Sequence, residues 1–217
     1  MKNRFAAQKE TSARLFSPRF RRALDYAARI HGQQFRKKTG RPYIGHLLGV
    51  ASIVIEYGGD EEMAIAALLH DVVEDQGGLP RLREIRKKFG NRVARIVDGC
   101  SDSYREPKPP WLERKRAYVA RVHAEPADTR LVSAADKLSN VRETVRDLRT
   151  QGAAVFERFA GKREGTLWYY RALVEEFRQA DSNPLVEELA RAVRELESVA
   201  AGRESQPDSR SDARIGR

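Results

Sequence analysis

The sequence contains one cysteine, Cys100, among its 217 residues. A disulfide within the chain is therefore excluded, and such sparse use of cysteine favours a reducing compartment. No neighbouring residue marks Cys100 as a nucleophile, so we expect it to have a structural role.

Long hydrophobic runs are also missing. No apolar run approaches the ~20 residues that a membrane-spanning helix needs, and the N-terminus lacks the apolar region of a signal peptide. We therefore expect a soluble, cytoplasmic protein that does not bind a membrane. Runs of β-branched residues are short and helix-forming residues dominate, which predicts an all-α fold. Hydrophobic residues make up 41% of the chain, enough for a core.

The charge of the chain is strongly positive, with a formal net charge of +10 and a pI near 9.9. This charge suits polyanionic partners such as phosphorylated metabolites or nucleic acid. The glycine-rich phosphate motifs GxxxxGK[ST] and GxGxxG are both absent. Binding of phosphate would therefore depend on side chains and on a metal ion.

The chain divides into three parts by composition. We expect residues 1–16 to be a mobile basic arm, residues 17–199 to form one helical domain, and residues 200–217 to be a disordered tail. Ser17 and Pro18 mark the first helix, with Ser17 as the N-cap, and Asp60 caps a later one.

An apolar run from residue 64 ends in four polar residues, His70, Asp71, Glu74 and Asp75. One continuous helix would place His70 near Glu74 and Asp71 near Asp75. Burying these groups without partners would cost several kcal/mol. The run therefore predicts a metal, basic partners or water at its end.

His46 and Asp136 lie in two other predicted helices, and Asn140 shares a helical face with Asp136. Together with His70 and Asp71, they offer the mixed nitrogen and oxygen ligands that suit Mn²⁺, Fe²⁺ or Zn²⁺. An adjacent His-Asp pair leaves positions open for water and substrate. A bound metal would make that water acidic. Basic side chains for a phosphate substrate are Arg36, Lys37, Lys38 and Lys115.

Five ordered blocks carry a resemblance to a known family: HGQQFRK at 31–37, RPYIGH at 41–46, AALLHDVVED at 66–75, FG at 89–90 and ADKLSN at 135–140. The pattern H…HD…D resembles that of the HD-domain phosphohydrolases. The blocks, between about residues 18 and 177, are similar to the hydrolase domain of RelA/SpoT-type proteins. The chain looks like a stand-alone small alarmone hydrolase.

This resemblance implies an all-α, HD-domain helical bundle of roughly eight to ten helices around a metal site. It implies Mn²⁺-dependent removal of the 3′-diphosphate of (p)ppGpp, which yields GDP or GTP and pyrophosphate. The implied metal ligands are His46, His70, Asp71 and Asp136. Glu74 and Asp75 would act on water. Arg36 and Lys37 would lie along the nucleotide, Lys115 near the phosphates, and Asn140 beside the ribose or the metal ligands.

Several departures from the family pattern leave the substrate open. Leu47 stands where a proline is usual, Gln76 replaces a threonine, and Ser133 and Ala134 replace a Lys-Leu pair. An adenine alarmone such as (p)ppApp, the 2′-phosphate of NADPH, or a nucleoside monophosphate are alternatives. A non-catalytic nucleotide- or nucleic-acid-binding module is a further one. It is disfavoured because a binder needs no such set of histidines and acids. The sequence leaves the oligomeric state open.

Overall fold

Helices account for most of the chain that the computed structural model describes, residues 16–36, 39–104 and 107–202. The elements are α1 (Pro18–Ile30), α2 (Ile44–Glu56), α3 (Glu61–Leu69), α4 (Val72–Asp75), α5 (Gly78–Cys100), α6 (Trp111–Val122), α7 (Ala127–Gln151), the 3₁₀ helix η1 (Gly152–Arg158), α8 (Lys162–Ala180) and α9 (Pro184–Gly202). Within these residues no strand forms, and the expected all-α fold is confirmed.

Two predicted helix starts have the expected caps. The Oγ atom of Ser17 accepts a hydrogen bond from the Arg19 amide at 3.1 Å, with Pro18 at the first helical position. The carboxylate of Asp60 accepts from the Met63 amide at 3.0 Å. These side chains satisfy amides that have no partner within the helix.

Helix α7 is the centre of the packing. It contacts α2, α3, α5, α8, α9 and η1. One side of α7 is apolar and buried, with Leu138, Val141 and Leu148 fully enclosed. Its buried residues also include the polar Asp136, Lys137 and Asp147. The core therefore encloses several charged residues along this helix.

The predicted continuous helix from residue 64 to Asp75 is wrong at one point. Helix α3 ends at Leu69, and α4 begins at Val72. The Nδ1 atom of His70 lies 2.8 Å from the carbonyl oxygen of Ala67, an acceptor that a continuing helix would use. The break therefore lies at the His70–Asp71 pair itself.

The predicted boundary of the tail also needs a correction. Helix α9 continues through residues 200–202 because Ala200 packs into the core, where it is 4% exposed. The remaining tail from 203 to 217, the arm from 1 to 15, and Lys37 and Lys38 lie outside the described residues. Of the helices that are described, none is both long enough and apolar enough to cross a membrane.

A matched pair of leucine substitutions tests this packing. Leu173 of α8 is fully buried, whereas Leu112 of α6 is 44% exposed. We expect Leu173→Ala to lower the free energy of unfolding by about 2–5 kcal/mol, because it leaves a cavity. Leu112→Ala should change it by less than about 0.5 kcal/mol. Denaturant titration followed by circular dichroism measures both, and equal effects would contradict the assigned burial.

Candidate active site

Three separate segments bring potential metal ligands to one point. His46 lies in the first turn of α2, His70 follows α3, and Asp136 lies within α7. Their donor atoms all lie within 4.8 Å of one another. The Nε2 atoms of His46 and His70 are 3.2 and 3.5 Å from Oδ1 of Asp136. This group is able to hold a metal ion.

The other nitrogen of each imidazole has a partner that helps to set the ring orientation. The Nδ1 atom of His70 must carry the hydrogen, because the Ala67 carbonyl beside it can only accept. The Nδ1 atom of His46 lies 3.2 Å from the hydroxyl of Ser139. Both Nε2 atoms are buried and make no hydrogen bond of good geometry with the described residues. Such nitrogens fit a metal site.

Asp71 completes the predicted set. Its Oδ2 atom lies 3.0 Å from Nε2 of His70 and 3.6 Å from Nε2 of His46. The hydroxyl of Tyr43 donates to the same oxygen at 2.5 Å. Sequence reasoning missed this role for Tyr43, although the residue lies within the RPYIGH block. The four predicted ligands thus come together at one place.

The electrostatics of this group favour positive charge between the carboxylates. Burial alone would raise the pKa of Asp71, but His70 and His46 hold it well below its usual range. Burial alone would lower the pKa of His70, but Asp71 and Asp136 raise it well above its usual value. The centre therefore stabilises a cationic group, as a divalent metal site requires.

Asp136 is further held by its neighbours on α7. The Nζ atom of Lys137 lies 2.6 Å from Oδ2 of Asp136, and Nδ2 of Asn140 donates to Oδ1 at 2.6 Å. Lys137 is buried, with its ammonium 5.2 Å from the centre of the Tyr118 ring. Sequence reasoning did not predict this contact, although Lys137 belongs to the ADKLSN block.

Glu74 and Asp75 line the same cavity, on different sides of α4. Oε1 of Glu74 lies 3.2 Å from Nζ of Lys108. Burial, followed by the nearby carboxylates of Asp102 and Asp71, raises the pKa of Glu74. Asp75 is exposed and accepts a hydrogen bond from Nε2 of Gln34 at 2.8 Å. Glu74 therefore has the environment of a proton acceptor that titrates above its ordinary range.

A cavity of about 530 Å³ extends from Asp71 and Asp136 along the polar strip of α7. This strip consists of four residues that line the cavity: Asp136, Asn140, Glu143 and Asp147. At a rise of ~1.5 Å per residue, these positions span roughly 16 Å of helix. The volume lies in the range of small-molecule sites. Cys100 also lines it, and burial raises the pKa of its thiol, so the thiol stays protonated.

Arginines from the loop before α2 meet the far part of this strip. Arg36 donates to Oδ1 of Asn140 at 2.6 Å and, through Nε, to Glu143 at 2.8 Å. Arg41 pairs with Glu143 at 3.0 Å and with Asp147 at 2.8 Å. Arg36, predicted to lie along the nucleotide, therefore contacts Asn140, predicted to lie beside the ribose or the metal ligands. Lys37 cannot be placed because it lies outside the described residues.

A second basic pair lies on α6. The Nζ atom of Lys115 is 2.7 Å from Oδ2 of Asp102, and Nη1 of Arg114 is 2.6 Å from both carboxylate oxygens. Sequence reasoning missed Asp102, whose side chain is 3% exposed. In the sequence, the only indication of this role for Asp102 is the basic run at 114–116, which needs an acidic partner. Asp102 positions both cations toward the cavity that they line.

Known proteins with similar sequences bear on this site. A family model described as HD domain matches residues 23–167. The human guanosine-3′,5′-bis(diphosphate) 3′-pyrophosphohydrolase MESH1 is 43% identical over 124 residues, which cover 56% of this chain and 66% of that protein. A guanosine-3′,5′-bis(diphosphate) 3′-pyrophosphohydrolase from Aquifex aeolicus is 38% identical over 122 residues, which cover 56% of this chain and 17% of that protein. The chain thus spans less than two thirds of these relatives.

Solved structures agree with the sequence matches. A metazoan orthologue of SpoT, whose report states that it hydrolyses ppGpp, has a TM-score of 0.67 and 30% identity. The match covers 82% of this chain and 95% of that one. A protein from Listeria monocytogenes has a TM-score of 0.61 at 27% identity, covering 72% of this chain and 99% of its own. With most of the helical domain matched by the family model, the chain belongs to the HD-domain family.

Proposed function

We propose that this protein is a metal-dependent hydrolase that removes the 3′-diphosphate of (p)ppGpp and releases GDP or GTP and pyrophosphate. The observation that carries the proposal is the pair of buried Nε2 atoms, on His46 and His70, which lie 3.0–3.6 Å from two carboxylates beside a cavity of nucleotide size. The activity for which these relatives are named supports this substrate. We place the reaction in the cytoplasm, without a membrane or nucleic-acid partner.

The proposed metal is Mn²⁺ or another divalent transition metal, held by His46, His70, Asp71 and Asp136. When bound, it supplies a Lewis acid that polarises a phosphoryl oxygen and acidifies water. The protein contributes the orientation of the ligands. The Ala67 carbonyl and the Ser139 hydroxyl hold the two rings, and Tyr43 holds Asp71.

Glu74 is the proposed base that takes a proton from the attacking water. Its raised pKa moves it toward the working pH, where general-base catalysis is most efficient. Asp75 lines the same cavity and would orient that water, with Gln34 fixing its carboxylate. Neither residue is needed to hold the metal.

The remaining cavity residues would bind the nucleotide. Lys115 and Arg114 are held in place by Asp102, so they can neutralise the diphosphate with little reorganisation. Arg36 and Asn140 are hydrogen-bonded to each other and would contact the nucleoside. Lys37 belongs to this group by its position in the HGQQFRK block.

The first test is release of pyrophosphate from ppGpp by the purified protein. We expect turnover with Mn²⁺ and none after EDTA treatment, with recovery when Mn²⁺ is added back. Parallel reactions with ppApp and NADPH compare the guanine alarmone with the alternative substrates. Metal bound at full occupancy without release from ppGpp would rule out this substrate.

Substitutions separate metal ligands from residues that act on water. We expect His70→Ala and Asp71→Ala to lose both bound metal and turnover. Glu74→Gln and Asp75→Asn should keep the metal, and Glu74→Gln should slow turnover by ~10²–10⁴-fold. Metal content by mass spectrometry and initial rates measure these effects. His123→Ala is the control, because the His123 side chain is 47% exposed and pairs with Glu176. Full activity of Asp71→Ala would contradict the ligand assignment.

The pH dependence tests Glu74 as the base. A base must be ionised, so kcat/KM should fall as the pH drops through the raised pKa of Glu74. Lys108 lies 3.2 Å from Glu74 and lowers that pKa. Lys108→Met should therefore move the acid limb of the profile to higher pH. If the acid limb of the profile is unchanged in Lys108→Met, or persists in Glu74→Gln, the titrating group is not Glu74.

A further inference from the structure

The hydroxyl of Tyr169 has an unusual environment. Tyr169 lies in α8, is 6% exposed, and lines the cavity. Its hydroxyl is buried and has no hydrogen-bond partner among the described residues. Buried hydroxyls usually have a partner. The lack of one at a cavity wall points to a ligand that supplies it.

The ring of Tyr169 is packed on several sides. The indole of Trp111 meets it edge to face, with ring centres 6.3 Å apart and planes at 69°. A Cβ atom at Gly161 would lie 2.5 Å from Trp111, so the glycine allows this indole to pack closely. The ammonium of Lys115 lies 4.9 Å from the centre of the Tyr169 ring. The phenol is therefore pre-positioned beside a cation at the cavity wall.

Burial keeps this hydroxyl protonated. Burial raises the pKa of Tyr169 to about 12; Lys137 opposes this effect, and Asp136 and Asp102 add to it. A protonated phenol is able to donate a hydrogen bond. The neighbouring ammonium of Lys115 favours an anion as the acceptor.

We propose that the Tyr169 hydroxyl donates a hydrogen bond to an oxygen of the 3′-diphosphate of the substrate. Tyr169 would thus be a further binding residue, acting with Lys115 on the same phosphates. This inference rests on the proposed function for the identity of the substrate. Binding of a diphosphate by Tyr169 can be tested without turnover of ppGpp.

The test uses Tyr169→Phe in the full chain loaded with Mn²⁺. Calorimetry measures the Kd of inorganic pyrophosphate and, separately, that of GMP. We expect the Kd of pyrophosphate to rise about tenfold, which corresponds to about 1.4 kcal/mol, and the Kd of GMP to change less than twofold. The kcat/KM for ppGpp should fall by a similar factor, with metal content and Tm unchanged. Tyr26→Phe is the control, since Tyr26 is a buried phenol of α1 outside the cavity lining.

The outcomes distinguish this inference from the proposed function. An unchanged Kd for pyrophosphate in Tyr169→Phe would overturn the inference, even if ppGpp is hydrolysed. Loss of metal or a lower Tm in that variant would also overturn it, because the hydroxyl would then serve the fold. If the wild type binds pyrophosphate but does not hydrolyse ppGpp, the proposed function fails. A tenfold weaker Kd would in that case still support the contact.

Discussion

The burial of two imidazoles against two carboxylates is the constraint on which the rest of the structure depends. His46 and His70 are almost fully enclosed, and their Nε2 atoms face Asp71 and Asp136 at 3.0–3.6 Å. Groups of this kind are costly to bury unless a cation lies between them. Three helical segments must therefore meet at one point with ångström accuracy. The apolar residues of α2, α3 and α7 pack these segments together, and the chain breaks α3 at His70 so that ring and carboxylate both face the centre.

Helix α7 carries Asp136 and also forms one wall of the cavity. Its apolar side packs into the core, while the polar strip, which includes Asp136, Glu143 and Asp147, lines the cavity. Each acid is offset by a basic residue: Lys137 at Asp136, Arg36 at Glu143, and Arg41 and Arg158 at Asp147. The pKa of Asp147 is lowered because, although burial raises it, Arg41 and Arg158 more than compensate. The basic residues that line the cavity thus stabilise α7 before they contact any nucleotide, and the site is largely preorganised.

The sequence predicts those features that depend on neighbours along the chain. The caps at Ser17 and Asp60, and the separation of His46, His70 and Asp136 into different helices, follow from local pattern. The break after Leu69 could not be predicted, because the LLHDVV run has helical spacing, and the ring of His70 competes for a carbonyl only in the folded state. Asp102 lies in a loop, and its contact with Lys115 depends on how α6 packs. The unpartnered hydroxyl of Tyr169 is likewise a property of tertiary structure, invisible in a run of aromatic residues.

The charge of the cavity links metal and nucleotide. Among the described residues that line it, seven carboxylates face five basic side chains, although the chain as a whole carries +10. The carboxylates are Asp71, Glu74, Asp75, Asp102, Asp136, Glu143 and Asp147, and the basic residues are Arg36, Arg114, Lys115, Lys137 and Arg158. Without a divalent cation, this wall repels a polyanionic substrate at close range, even though the basic surface attracts it from a distance. One divalent cation would neutralise the excess negative charge of these side chains. Under the proposed function, loss of the metal would therefore weaken substrate binding as well as the chemical step.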